Sequence, residues 1–317
     1  MSNDSSKIDL MSFGGMNSND SFFLPSVVRH VRAPPIKCQG IKTKSVNFIA
    51  SNIKWKGDGR WVEPFLGSGA VLFNIAPERA LASDLNGHII EFYRSIQEHK
   101  TDHKIVRDFL EEEGKKLEAG DGEFYYEVRD RFNKNHDPLD LLFLSRACFN
   151  GVMRFNGKGE FNTPYNHKKN RFSPAYITKI VNQVRFVANV IEGKEWEFRK
   201  GDWKETLRGL SAGDFVYADP PYYGRHTDYY GTWMDYDDER LAHALGELEG
   251  GFALSSWKEN EFRKNEQLDR HWSRFSIKVQ SHFYHVGSVE DYRHPMTEAL
   301  VIKPGFEANL LKESTDH

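Results

Sequence analysis

An acid, two prolines and an aromatic follow one another at Asp219-Pro220-Pro221-Tyr222, directly after the apolar run Asp214-Phe215-Val216-Tyr217-Ala218. Each proline fixes its φ and removes a backbone N–H, so a β-strand over 214–218 has to stop at the acid. Asp219 is then left at the carboxyl end of a strand, the end at which open α/β sheets hold their ligands. The Asp219 carboxylate, the Pro220 carbonyl and the Tyr222 ring stand close together on a rigid frame. Two acceptors beside an aromatic face suit a flat base that carries an exocyclic amine. The competing account of Asp219 is plainer: a salt-bridged acid that ends a strand.

A second constellation lies upstream. Trp61-Val62-Glu63-Pro64-Phe65-Leu66-Gly67-Ser68-Gly69-Ala70 reads as a short strand, a glycine-rich turn and a helix start. Glycine permits φ > 0 and lets a ligand approach the backbone closely. A dinucleotide fingerprint needs a third small residue, and Leu72 stands there instead. With Glu63 ahead of the turn, a ligand bearing a cationic amine is favoured over a pyrophosphate. Asp84 closes a second candidate strand, Arg79 to Asp84. It has two readings: acceptor for ribose hydroxyls, or N-cap of a helix over 87–99.

These residues need elements to hold them. Strand–turn–helix alternation runs to Thr101 and resumes at Trp196, with Gly201-Asp202-Trp203 in a turn. Between them the apolar spacing predicts helices at about 103–117, 123–134, 138–149 and 174–190. A polar loop from Phe149 to Tyr165 separates the last two, mixing aromatics with amides, glycines and bases, the set that stacks on bases and grips phosphate. After the central strand come a loop over 223–236, a helix at about 237–248 and a strand at 252–255. A short helix at about 258–266 and two closing strands at about 273–279 and 297–303 complete the chain.

Composition narrows the class. The 317 residues are 39% hydrophobic and 28% charged, ordinary for a soluble globular protein. No apolar run approaches the ~20 residues of a membrane span, and no signal-peptide pattern opens the chain. A cytoplasmic protein with no membrane partner is expected. Cys38 and Cys148 offer neither a disulfide framework nor a metal-ligand spacing, so no metal is expected. The formal net charge of −3 does not itself point to nucleic acid. Its distribution is more telling: charged residues from Arg29 to Lys44 are all basic, and those from Gly151 to Arg171 are basic apart from Glu160. Such stripes suit a polyanion, although they are more often plain solvated surface.

Glu63-Pro64-Phe65-Leu66-Gly67-Ser68-Gly69 together with Asp219-Pro220-Pro221-Tyr222 resembles the Dam-type (D12 class, α group) DNA adenine N6-methyltransferases. Arg129-Asp130-Arg131-Phe132-Asn133, Asn150-Gly151-Val152-Met153-Arg154-Phe155-Asn156 and Gly159-Glu160-Phe161-Asn162-Thr163-Pro164 look like that family's target-recognition segment. The likeness covers roughly residues 33–303. It implies an α/β fold: a seven-stranded, mostly parallel, Rossmann-like sheet of the S-adenosylmethionine-dependent methyltransferases, with a helical target-recognition insertion. The implied division is a tail at 1–24, a catalytic domain at 25–94 and 194–305, a DNA recognition domain at 95–193 and a tail at 306–317.

The resemblance also implies roles. S-adenosylmethionine is the methyl donor and double-stranded DNA the substrate. Asp219, Pro220 and Tyr222 are catalytic, gripping and stacking an adenine turned out of the duplex. Lys42 falls at the donor-binding lysine, Glu63 meets the donor's amine, and Phe65, Gly67 and Gly69 pass beside or beneath it. Asp84 binds its ribose, Asp202 lies near its adenine, and Asp219 touches the donor as well. DNA contacts fall to Lys37, Phe149, Asn150, Val152, Arg154, Asn156, Lys158 and Pro164, with a target containing GAT and GATC as the leading sequence. A monomer is expected, with a restriction endonuclease that acts on the same site as a separate partner. One departure stands out: Cys38 replaces an aromatic that the family often has before Gly40 and Lys42. Asn or Ser in place of Asp219 would have pointed to ribosomal RNA, protein glutamine or cytosine N4 methylation. A non-catalytic DNA-binding regulator on the same fold is the alternative outside enzymes.

Overall fold

The computed structural model describes residues 24–222, 233–259, 263–283 and 295–308. Strands β1 (Trp61–Glu63), β2 (Arg79–Asp84), β3 (Glu195–Lys200), β4 (Phe215–Ala218), β5 (Gly251–Glu259), β6 (Ser276–Phe283) and β7 (Pro295–Ile302) form one sheet. It is seven-stranded, in the order β3-β2-β1-β4-β5-β7-β6. Pairs β1–β2, β1–β4, β2–β3 and β4–β5 are parallel, while β7 runs antiparallel to both β5 and β6. The expected mostly parallel sheet with one antiparallel member is what forms.

Strand order reverses between β1 and β4. From β1 the chain winds outward to β2 and β3, then returns to β4 and winds the other way. A crevice opens at the carboxyl ends of strands at such a reversal. The last residue of β1 is Glu63, and the residue after β4 is Asp219. Topology alone therefore brings the two acids to one place.

Side chains alternate across the strands, as a pleated sheet with two covered faces requires. Trp61, Phe215, Tyr217, Ala253 and Leu300 point into one apolar cluster; Val62, Val216, Ala218, Phe252, Leu254 and Val301 point into another. Helices α1 (Val46–Asn52), α2 (Ala70–Ile75) and α3 (Gly87–Gln97) cover the first face. The chain between them and β3 forms α4 (His103–Ala119), α5 (Glu123–Asn135), α6 (Pro138–Ala147) and α7 (Pro174–Ile191). Helices α8 (Trp203–Thr206), α9 (Asp235–Gly246) and α10 (Glu266–His271) cover the second face.

Local chemistry sets the inserted helices. Asp102 caps α4 by accepting from the N–H groups of Lys104 (2.7 Å) and Ile105 (2.8 Å), and Asp137 caps α6 ahead of Pro138 at its first turn. Arg131 on α5 donates to Glu113 on α4 (2.7 Å) and, through Nε, to Asp140 on α6 (2.8 Å), tying three helices by one guanidinium. The apolar faces of α4 to α7 belong to the same cluster as the sheet's first face, so the insertion shares the sheet's core.

Three sequence expectations shift. The helix expected at about 258–266 does not begin at 258; β5 instead runs on to Glu259, held by β7 at Trp257↔Glu298 and Glu259↔Thr297, and positions 260–262 lie outside the described residues. The helix begins at Glu266, where the Asn265 side chain accepts from the Gln267 N–H at 3.2 Å. Helix α6 ends at Ala147 because Cys148 turns extended and bridges to Tyr165. The loop expected over 149–165 carries structure of its own: a 3-10 turn at Phe149–Gly151 and a second antiparallel bridge, Phe155↔Phe161. The tail expected at 1–24 lies outside the described residues up to position 23, as do positions 223–232 of the expected loop over 223–236. No helix among the described residues is long and apolar enough to cross a membrane.

Candidate active site

At the carboxyl end of β4, Asp219 holds two polar partners. Its Oδ2 lies 2.9 Å from the Lys42 ammonium, and its Oδ1 accepts a hydrogen bond from the Tyr222 hydroxyl at 3.3 Å. The lysine side chain is 6% exposed and the aspartate 23%, so the cation is sealed beneath while an edge of the acid faces out. The same ammonium stands 5.3 Å from the Tyr222 ring centroid and donates to the Gly40 carbonyl at 2.9 Å. Burial pushes the Asp219 carboxyl upward, and the Lys42 charge beside it acts against that push. Burial, the largest single influence, would lower Lys42, but Asp219, Tyr222, Tyr217 and Glu298 together hold it well above its usual value.

A cleft opens in front of this pair, walled by Gly40, Lys42, Glu63, Phe65, Ser68 and Asp219 among others. Glu63 is nearly inaccessible, and its Oε1 accepts from the Trp61 indole N–H at 2.9 Å. Burial pushes its carboxyl up to about 8, with the negative charge of Asp219 adding to the effect and the indole N–H opposing it. Cys38, at the position where the resemblance leads one to expect an aromatic, also lines the cleft.

Asp84 ends β2 and does not cap α3; Asn86 takes that role, accepting from the His88 N–H at 3.1 Å. Asp84 instead accepts from the backbone N–H of Gly67 and of Asn86, each at 2.8 Å. The second bond closes a turn and the first fastens the end of β2 to the glycine loop after β1. Gly67 has φ +50°, and a side chain there would meet nothing within 4 Å, so its backbone is open to a ligand. Gly69 has φ +70°, and a Cβ on it would fall 2.4 Å from the Phe73 ring. Asp202 caps α8, accepting from the Lys204 N–H at 2.8 Å. Neither Asp84 nor Asp202 lines the cleft itself.

Apart from Lys37, the residues expected to touch DNA lie on the inserted part. Lys37 packs beside the 3-10 turn, for a Cβ on Gly151 would lie 3.4 Å from its Cδ. The turn carries Phe149, which is 53% exposed, and Asn150 in the left-handed region at φ 54°. Thr163 ties the two sides of the hairpin: its hydroxyl accepts from the Arg154 N–H at 2.8 Å and donates to the Val152 carbonyl at 3.0 Å. Arg154, Lys158 and Pro164 are exposed and Val152 is half-buried. Asn156 is engaged within the tip, its amide donating to Glu160 and its carbonyl oxygen accepting from the Lys158 and Glu160 N–H groups.

Sequence reasoning missed several neighbours. Glu298 on β7 accepts from the Ser45 hydroxyl at 2.7 Å, and Ser45 donates its N–H to the Lys42 carbonyl at 2.9 Å. Tyr217 and Ser255 share a hydroxyl contact at 2.7 Å behind Asp219. A lone acid inside Met-Thr-Glu-Ala-Leu-Val-Ile was the available signal for Glu298.

The family described as D12 class N6 adenine-specific DNA methyltransferase matches residues 39–286, which span the glycine turn, the inserted helices and Asp219. The chain belongs to that family. Among its relatives is the type II methyltransferase M.MjaIII of Methanocaldococcus jannaschii, 32% identical over 217 residues, covering 60% of this chain and 68% of that one. The DNA adenine methylase of Vibrio cholerae is 30% identical over 197 residues, 59% of this chain and 66% of that one. The DNA N-6-adenine-methyltransferase of Escherichia phage P1 is 33% identical over 173 residues, 51% of this chain but 21% of that protein. As a D12 methyltransferase, the chain acts on DNA adenine.

The buried Glu63 makes a measurable prediction. In the folded D12 chain it ionises at about 8 against 4.5 for an ordinary glutamate, so the folded state carries one more proton than the unfolded chain between those values. Stability from this group is therefore full below the lower value and lost as pH rises through the upper one. Urea unfolding between about pH 5 and about pH 8.5 should show a declining stability that Glu63→Gln flattens. Equal slopes in the two proteins would mean that Glu63 is already ionised in the fold.

Proposed function

We propose that the protein transfers a methyl group from S-adenosylmethionine to N6 of an adenine turned out of duplex DNA, within a short target. The observation that carries this reading is Asp219 at the strand end, charge-balanced by Lys42 and facing the same cleft as Glu63. Glu63 would hold the donor's amine. A cation there would return a buried, uncharged carboxyl to its ionised form, which the neutral indole N–H of Trp61 does not achieve. Phe65, Gly67 and Gly69 would lie along the donor, Asp84 would meet its ribose and Asp202 its adenine. When bound, the donor supplies a methyl group on a positively charged sulfur.

The rest falls to the chain. Adenine N6 is a weak nucleophile because its lone pair is delocalised into the ring. If Asp219 accepts one N–H and the Pro220 carbonyl the other, the nitrogen is drawn toward a tetrahedral shape with its lone pair directed at the methyl. Positioning and fixed charge of this kind are worth several kcal/mol. Tyr222, steadied by its bond to Asp219, offers a stacking face for the extruded base. The protein would work as a monomer, beside any restriction endonuclease that cuts the same site.

The direct test is to incubate the protein with S-adenosylmethionine and mixed duplex DNA, then map modified bases. N6-methyladenine in one short context is expected; methylated cytosine or no modification would overturn the reading. The context should contain GAT, with GATC the leading choice. Lys37, Asn150, Val152, Arg154 and Pro164 supply the means: a guanidinium can bind guanine O6 and N7 together, and small apolar groups pack on a thymine methyl. Arg154→Ala should weaken binding by about 1–3 kcal/mol at its own base pair and relax specificity there. Uniform weakening on every sequence, with a shallower salt slope, would make Arg154 a phosphate contact instead.

A further inference from the structure

The methyl-transfer reading gives no task to His88, yet this residue joins two parts of the molecule. It stands in the first turn of α3, just after Asp84 at the end of β2. Asn86 links the two: its N–H donates to Asp84 Oδ1 at 2.8 Å, and its own Oδ1 accepts the His88 N–H at 3.1 Å. The imidazole lies against the hairpin of the inserted part. It stacks on Phe155, with ring centroids 5.5 Å apart and planes 15° from parallel. Phe132 of α5 meets it edge-on at 5.0 Å, and His136, which ends α5, lies 4.8 Å away. Phe161, bridged to Phe155 across the hairpin, packs edge-on against Phe155 at 5.5 Å and Phe132 at 6.2 Å. The Asn133 side chain brackets the Phe161 backbone, accepting from its N–H at 2.7 Å and donating to its carbonyl at 3.1 Å.

These contacts divide into two kinds. Phe132, Asn133 and His136 hold the hairpin to α5, within the inserted part. His88 holds the same hairpin to the end of β2, where Asp84 fastens the glycine loop of the cleft. A side chain that reads bases discriminates only as well as its support is fixed. Arg154 is exposed and directly precedes Phe155, so the stack on His88 helps to set where the Arg154 backbone lies relative to the cleft. Burial pushes the imidazole down to about 4, with charge on His136 and Lys200 adding to the effect and the Gly159 backbone opposing it. At neutral pH the ring is uncharged, and offers Phe155 a flat face rather than a cation.

We propose that His88 is a positioning residue for target specificity: by stacking on Phe155 it fixes the recognition hairpin against the catalytic part of the chain, so that the target is told apart from near-targets. The proposal rests on the methyl-transfer reading, and its test separates the two.

Two duplexes serve as probes: the context in which the native protein methylates adenine, and the same duplex with one neighbouring base pair changed. His88→Ala should lower the ratio of kcat/KM on the two by about fivefold or more, the scale of a lost aromatic stack. Donor affinity and the single-turnover rate on saturating target should stay within about twofold, because Asp84 keeps its bonds to the Gly67 and Asn86 N–H groups. His88→Phe, which keeps a flat ring, should restore the ratio. Phe155→Leu should reproduce the loss, and the double variant should lose no more than either single one, since both remove one contact. An unchanged ratio in His88→Ala overturns the proposal, as does a His88→Phe variant that restores nothing, or a loss that appears in donor affinity instead. Should His88→Ala fail to fold, full discrimination by Phe155→Leu overturns it equally. If the native protein leaves adenine unmethylated, or methylates it in every context, the failure lies with the underlying reading.

Discussion

Asp219→Ala is expected to abolish methylation while leaving DNA affinity within about twofold. The carboxylate faces the cleft and contacts Lys42 and Tyr222, whereas the exposed Arg154 and Lys158 stand on the hairpin of the inserted part. Loss of one fixed group that acts on developing charge typically lowers turnover by about 10²–10³. Retention of more than about a tenth of native turnover would put the loss under ~1.4 kcal/mol, too small for the orienting group. The variant also deprives a nearly sealed ammonium of its nearest carboxylate, so some destabilisation accompanies it. Asp219→Asn separates the two effects: it keeps the shape, loses the charge and should be nearly as inactive as the alanine variant.

Much of this site was legible because short-range chemistry wrote it. Two prolines after Asp219 could only end a strand, and glycines at 67 and 69 could only make a turn with φ > 0. Helices α4 to α7 followed from apolar spacing, while the caps Asp102 and Asp137 that fix the starts of α4 and α6 emerged only in the structure. What the sequence hid depends on pairing between distant strands. The extension of β5 to Glu259 is held by β7, about forty residues away, and nothing local competes with the helical spacing at 258–266. Glu298 reaches the site because β7 inserts antiparallel beside β5, a register invisible in one dimension. Asp84 was legible as an acid at a strand end, but its bond to Gly67 was not, since a carboxylate can cap a helix equally well.

Lys42 shows the same limit most sharply, and its replacement is the second large effect expected. The resemblance places it among donor contacts, while the structure sets its ammonium on Asp219, beneath the Tyr222 ring. These roles predict different failures. If Lys42 serves Asp219, Lys42→Met removes the charge that opposes burial, and the Asp219 carboxyl rises further above its ordinary value. A protonated acid is a weaker, neutral acceptor for the amine's N–H, so the rate at neutral pH should fall. Because the ionised fraction grows with pH below the raised value, the variant's single-turnover rate should climb as pH rises, about tenfold per unit. The native enzyme, in which the ammonium opposes that rise, should show a shallower pH dependence over the same range. Donor affinity measured by calorimetry should change little. A large loss of donor affinity with an unshifted pH profile would sink this assignment and return Lys42 to the donor.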